Sequence, residues 1–100
     1  MRTKSEDVQK AVEEGLGSIG RLRILRALAS GSINRVVSQT KYSLERKTGL
    51  KPITVRKHLK ILIGTGWVKE LDYNPRVYTL NPDNPRAKVL VDFFKSVGYI

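Results

Sequence analysis

The stretch Thr48-Gly49-Leu50-Lys51-Pro52-Ile53-Thr54-Val55-Arg56-Lys57-His58-Leu59-Lys60-Ile61-Leu62 decides how this chain folds. Gly49 suits the left-handed position just past a helix end. Pro52 suits the first turn of the next helix, where a missing N–H costs nothing. The spacing predicts a helix from Pro52 to about Gly64, ended by Gly64 and Gly66. At about 100° per residue, Val55, Leu59, Leu62 and Ile63 gather on one side. Ile53, Lys57, Lys60 and Gly64 gather opposite, with Thr54, Arg56 and Ile61 on the flanks. One side can bury against a core while the other presents cations and a hydroxyl. Such a helix fits the major groove of B-DNA, where Arg and Lys donate to guanine and Thr meets thymine methyls or phosphates. The plainer alternative is an amphipathic surface helix with a lysine-rich outer face.

The neighbours of this helix favour the first reading. A short helix ending Glu45-Arg46-Lys47-Thr48-Gly49-Leu50 precedes it by a tight turn, which is the spacing of a helix-turn-helix. After it, Trp67 to Asp72 and Arg76 to Leu80 are β-prone runs flanking Tyr73-Asn74-Pro75, a hairpin signal. Lys69 at the base of that hairpin and Arg76 near its tip are placed to meet phosphates or a minor groove. Trp67 is expected to anchor the hairpin base in the core, and Tyr78 and Leu80 to share a core-facing strand face. Tyr73 either touches a DNA backbone or is simply exposed. His58 is expected to pack beside Leu59 or touch a phosphate, not to bind metal.

Working outward, Ser5 to Glu14 places Val8, Ala11 and Val12 at helical spacing, with Gly15 and Gly17 as stops. Ser18 can cap a helix to about Ala29, with Gly31 ending it. That helix is apolar on too many sides for a single contact, so it belongs at the centre of the core or at a subunit interface. Residues 32–48 allow one long helix, two short ones, or a brief strand at Arg35-Val36-Val37. Asn84 and Pro85 open a final helix to about Val97. Its Val89, Leu90, Val91, Phe93, Phe94 and Val97 make more apolar surface than a small domain easily covers, and such patches mark interfaces. Val8, Val12, Leu90, Phe93, Phe94 and Val97 are therefore the candidate dimer contacts. The expected class is mainly α with a small β-hairpin (α+β): one domain over residues 1–100, its core at 18–81, with flanking helices at 5–14 and 85–97.

The formal charge of +10 is unevenly placed. Residues 15–69 carry twelve basic side chains against one acidic residue, Glu45, while residues 1–14 carry three against four and residues 70–100 four of each. A solubilising surface would be served by scattered charge. Concentration on one segment favours a polyanion, because Lys and Arg gain binding through counterion release from phosphates. Membranes, the other common polyanion, call for a basic amphipathic helix or a lipid anchor, and neither is evident. With no cysteine and one histidine, disulfides, a cysteine nucleophile and structural zinc are not expected. No nucleophile–base pair is evident, so catalysis is not expected, and neither is a cofactor or a small-molecule pocket. The opening Met1–Asp7 lacks the apolar centre of a secretory signal, and the rest of the chain has no long apolar run. The expected location is the cytoplasm, in association with the nucleoid.

Three runs carry a family resemblance. Arg21-Leu22-Arg23-Ile24-Leu25-Arg26-Ala27-Leu28 resembles the first core helix of winged-helix regulators of the ArsR-like (arsenic-repressor-type) superfamily. The run Thr48–Leu62, together with the Gly64-Thr65-Gly66-Trp67-Val68 after it, is similar to their recognition helix, and Arg76-Val77-Tyr78-Thr79-Leu80 to their returning wing strand. The resemblance spans roughly residues 18–81. It implies a winged helix-turn-helix transcriptional regulator, commonly a homodimer, that binds an inverted-repeat operator in double-stranded DNA with the helix at 52–64 and the wing alongside. Thiol-based metal sensing, common in that superfamily, is not implied here because the chain has no cysteine. The expected DNA-binding residues are Arg46, Lys47, Lys51, Ile53, Thr54, Arg56, Lys57, Lys60, Lys69 and Arg76. The alternatives are a basic architectural protein that coats DNA without reading it, and a winged-helix module that docks an acidic protein.

Overall fold

The helix that starts at Pro52 forms as its sequence requires. It runs Pro52–Gly64 (α4), with Pro at its first turn and Lys51 in extended conformation before it. Val55, Leu59 and Leu62 are buried along one side. They meet Ile24, Leu25, Leu28 and Ala29 of the helix Ile19–Ile33 (α2), Leu44 of the helix Lys41–Thr48 (α3), and Trp67 and Val68 in one cluster. The structure is a computed structural model that describes residues 4–33 and 38–100. Along the chain, α1 spans Lys4–Leu16, and after it come α2, a short strand Gln39–Thr40 (β1), α3 and α4. The strands Val68–Leu71 (β2) and Val77–Leu80 (β3) and the helix Pro85–Ser96 (α5) complete it. None of the helices described is long and apolar enough to cross a membrane.

α2 sits at the centre, touching α1, α3, α4 and β3. That explains why its apolar residues do not keep to one face. Ser18 caps it as expected, its Oγ accepting from the Arg21 N–H at 3.3 Å. The expected stop at Gly31 does not occur, since α2 continues to Ile33. Glycine lowers helix propensity by only about 1 kcal/mol relative to alanine, which surrounding packing readily offsets. The possible strand at Arg35-Val36-Val37 lies outside the described residues. β1 and α3 come next, and Thr40 caps α3 by accepting from the Ser43 N–H at 3.1 Å. The buried Gln39 ties β1 back to α2, donating to the Ala27 carbonyl at 2.8 Å and accepting from the Ser43 hydroxyl at 3.1 Å.

The hairpin expected from Trp67 to Leu80 becomes part of a three-stranded antiparallel sheet in the order β1-β3-β2. Val68 pairs with Leu80 and Leu71 with Val77, while Gln39 pairs with Tyr78 on the other edge of β3. Tyr78 and Leu80 are half-buried against the core, and Thr79 between them is buried. Two asparagines lock the base of the wing. Asn81 and Asn84 both donate from Nδ2 to the Gly66 carbonyl, at 3.2 and 2.9 Å, and Asn84 also accepts from the Arg86 N–H to start α5.

Gly15 corrects an expectation. It does not end α1, which runs on to Leu16. It lies against the Trp67 indole, so close that a Cβ there would overlap the ring. The same indole donates from Nε1 to the Ala11 carbonyl at 2.8 Å. Glycine at 15 is thus a contact requirement between α1 and the wing base.

Gly15→Ala should lower the thermal midpoint, with a cost of about 1–3 kcal/mol from overpacking. Gly64→Ala, where nothing lies within 4 Å of the added carbon, should be neutral or stabilising by up to about 1 kcal/mol. Thermal melts of the two variants check this; equal effects would contradict the assigned role of Gly15.

Candidate nucleic-acid interface

The turn into α4 is built by two residues. Gly49 has φ of 73° and donates its N–H to the Glu45 carbonyl at 2.9 Å, ending α3 in the left-handed conformation that glycine adopts without a Cβ clash. The buried Thr48 donates its hydroxyl to the Leu44 carbonyl at 2.6 Å and accepts from the Leu50 N–H at 3.3 Å. α3 and α4 are thereby fixed as a helix-turn-helix. With Val55, Leu59 and Leu62 buried, the opposite side of α4 has one orientation available. Arg56, Lys57 and Lys60 are exposed there, and Ile53 stands 57% exposed in the first turn. Lys51 is exposed just before the helix, and Thr54 is half-buried on its flank.

Arg56 and Lys60 line a groove of about 320 Å³ between α4 and the wing, together with Lys41, Glu70, Arg76 and Tyr78. This arrangement joins the first residue of α3, the outer side of α4 and the wing in one cationic surface. Lys41 and Tyr78 were not among the expected contacts. The signal for Lys41 was its place at a helix start behind Thr40, visible only once α3 is known to begin there. Tyr78 was read as core, and its half-buried side chain faces the groove as well. Burial, then the nearby Glu70 carboxylate, pushes its phenol above the usual tyrosine range, with Arg76 opposing.

Other expected contacts lie elsewhere or are engaged. Arg46 is exposed, donating to the Tyr42 hydroxyl at 3.2 Å and lying over its ring. Lys47 lines a separate depression with Arg23 and Arg26, away from the groove. In the wing, Lys69 pairs with Asp83 at 3.3 Å. Arg76 pairs with Glu70 at 3.2 Å and Asp72 at 3.6 Å. Both wing cations are therefore matched by carboxylates, unlike those on α4, for which no ion pair occurs among the described residues. Tyr73 is exposed at the hairpin tip.

The candidate dimer contacts divide. Val8, Val12, Phe93 and Val97 are exposed, as is Val89. Leu90 and Phe94 are corrected to core residues of the single chain, only 6% and 3% exposed. Helical geometry puts them on the inner side of α5, and Tyr99 stacks edge-on against Phe94 with ring centroids 5.0 Å apart. The outward side of α5 keeps Val89 and Phe93, and Val97 just beyond its end is exposed as well.

His58 sits on the side of α4 that meets α2. Its ring packs on Gly20, where a Cβ would collide with it. Its Nδ1 lies 3.2 Å from Arg21 Nη1. Arginine can only donate, so this contact favours the neutral imidazole with Nδ1 as acceptor. Burial, then the Arg21 charge, holds its pKa below the usual histidine value.

No protein-family model and no curated protein sequence matches the chain. Solved structures do. HlyU from Vibrio cholerae superposes with a TM-score of 0.77 at 19% identity, covering 97% of both chains. The homodimeric winged helix-turn-helix DNA-binding domain of Mb0332 from Mycobacterium bovis, a possible ArsR-family transcriptional regulator, gives 0.74 at 20% identity, over 94% of this chain and 80% of that one. The transcriptional repressor BigR from Xylella fastidiosa gives 0.73 at 20% identity, over 94% and 88%. At these identities the likeness carries the fold. The chain is a winged helix-turn-helix, mainly α with a small β wing, built like these structures.

A lowered histidine pKa means that the unfolded chain binds the proton more readily than the folded one. Stability is then full above about pH 6.5 and falls as pH drops through that value toward the lower folded pKa. Thermal midpoints measured from pH 8 to 5 should decline below about 6.5 in the wild type, and His58→Gln should flatten that part of the profile. A decline of the same size in both proteins would assign it to other groups.

Proposed function

We propose that this chain is a sequence-specific double-stranded DNA-binding transcription regulator that acts as a homodimer on an inverted-repeat site. α4 enters the major groove, and the wing runs along the backbone or minor groove. The observation that carries this reading is the two-sidedness of α4. Burial of Val55, Leu59 and Leu62 leaves Arg56, Lys57 and Lys60 outward, with Ile53 exposed at the leading turn. Arginine or lysine can bridge guanine O6 and N7, and Ile53 offers an apolar contact for a thymine methyl. Lys51, Lys60 and Lys41 suit phosphates, which position a protein without specifying sequence. Arg46 and Lys47 flank the turn and are assigned to backbone contact. The role places the protein in the cytoplasm, at the nucleoid.

Dimerisation is supported by the exposed apolar side chains of α1, α5 and the residue that follows it: Val8, Val12, Val89, Phe93 and Val97. It is also supported by the homodimeric state of the similar Mb0332 domain. Two copies related by a two-fold axis would present two α4 helices to half-sites about one DNA turn apart. The competing architectural reading draws on net charge alone. It is weakened by the wing, whose cations are already paired within the chain.

Arg56→Ala or Lys57→Ala should cost about 1–3 kcal/mol on a selected site and much less on random duplex if either side chain bridges a base. Lys60→Ala should weaken both equally and reduce the salt slope by about 0.9. Phe93→Asp should shift the protein toward monomer in sedimentation and weaken binding to a two-half-site duplex more than to one half-site. Equal losses on selected and random DNA for all the α4 variants would overturn sequence reading, and a Phe93→Asp variant that sediments like the wild type would overturn the assigned interface.

A further inference from the structure

Glu70 is the single carboxylate among the described residues lining the groove between α4 and the wing. The groove is also lined by Lys41, itself paired with Glu45 at 3.4 Å, and by Arg56, Lys60 and Arg76. It accepts from Arg76 Nη1 at 3.2 Å, while Asp72 lies 3.6 Å from the same guanidinium's Nε. Arg76 is thus engaged on two edges although its side chain remains 65% exposed. A phosphate approaching this groove meets a fixed negative charge and a guanidinium already occupied.

We propose that Glu70 is a resident stand-in for a DNA phosphate: in the free protein it holds Arg76 within the groove, and on binding it yields Arg76 to the backbone. The proposal rests on the DNA-binding reading above and adds a brake to it. A carboxylate in a groove lined by Arg56, Lys60 and Arg76 is favourably placed in the free protein and repels phosphates in the complex. Both effects oppose binding. They act on the sequence-independent part of the affinity, because phosphate contacts carry no base information. The brake therefore limits capture by bulk DNA, which a segment as basic as residues 15–69 would otherwise favour.

Glu70→Gln keeps the shape and removes the charge. On selected and random duplexes alike it should tighten binding about two- to fivefold near physiological salt, the range of an exposed ion pair. The slope of log K against log salt should stay close to that of the wild type, because Arg76 reaches a phosphate in both complexes. In an Arg76→Gln background the gain should shrink by half or more. Asp72→Asn, at a side chain 93% exposed and therefore safe for folding, should act in the same direction with smaller size. Unchanged or weaker binding by Glu70→Gln and Asp72→Asn would overturn the brake and make Glu70 a support that aims Arg76 at DNA. A gain undiminished without Arg76 would also overturn it. If the wild type and all variants lack salt-dependent DNA binding, the DNA-binding reading itself fails, which is a distinct result.

Discussion

Everything about this molecule's outer surface depends on how α4 is clamped. Val55, Leu59 and Leu62 are gripped by α2 and α3, and the chain after α4 is held by Trp67, whose indole reaches back to α1. A helix buried along one stripe cannot rotate without removing that stripe from the core. Removing a leucine from such a core typically costs about 2–5 kcal/mol, a large share of the stability of a chain this small. The direction of Arg56, Lys57 and Lys60 is therefore a consequence of the packing of their neighbours. The cationic side is pre-organised, so no ordering of the helix is needed when a ligand arrives.

Charge divides the surface differently from the fold. The central segment supplies the whole excess of cations, and α4 presents its share unpaired among the described residues. The wing, which continues the same surface, is close to neutral because Lys69 and Arg76 face Asp83, Glu70 and Asp72. Exposed pairs of this kind add little stability, so their effect on what can approach the groove outweighs their effect on folding. In the proposed function α4 would provide attraction and base contact, while the proposed brake in the wing would limit indiscriminate contact.

Much of the fold was legible because α4 and its turn are governed by local rules. Pro52, Gly49 and the 3.6-residue stripe mark the helix and its boundaries within the chain itself, and Ser18 and Asn84 act as caps as their chemistry predicts. The features that could not be read depend on distant partners. Gly15 reads as a stop until Trp67 is seen pressed against it, and Gly31 reads as a stop until the packing around α2 is known. The strand Gln39–Thr40 has no pattern of its own and exists through pairing with Val77 and Tyr78. Leu90 and Phe94 read as interface because amphipathicity counts apolar residues without showing which of them the chain itself covers. For the site, the identity of the α4 side chains was legible from the wheel. The ion pairs that engage Lys69 and Arg76 were not, since they join residues whose proximity the hairpin register and the turn into α5 create.

In the proposed function two pre-organised copies of α4 read a defined DNA sequence. Selection of bound duplexes from a random pool at physiological salt tests it most directly. Sequence reading by a two-fold dimer should enrich an inverted repeat whose half-site centres lie about 10 base pairs, or a multiple of that, apart. Recovery of a pool with no enriched sequence, despite salt-dependent binding, would contradict it and leave a basic protein that coats DNA without reading it.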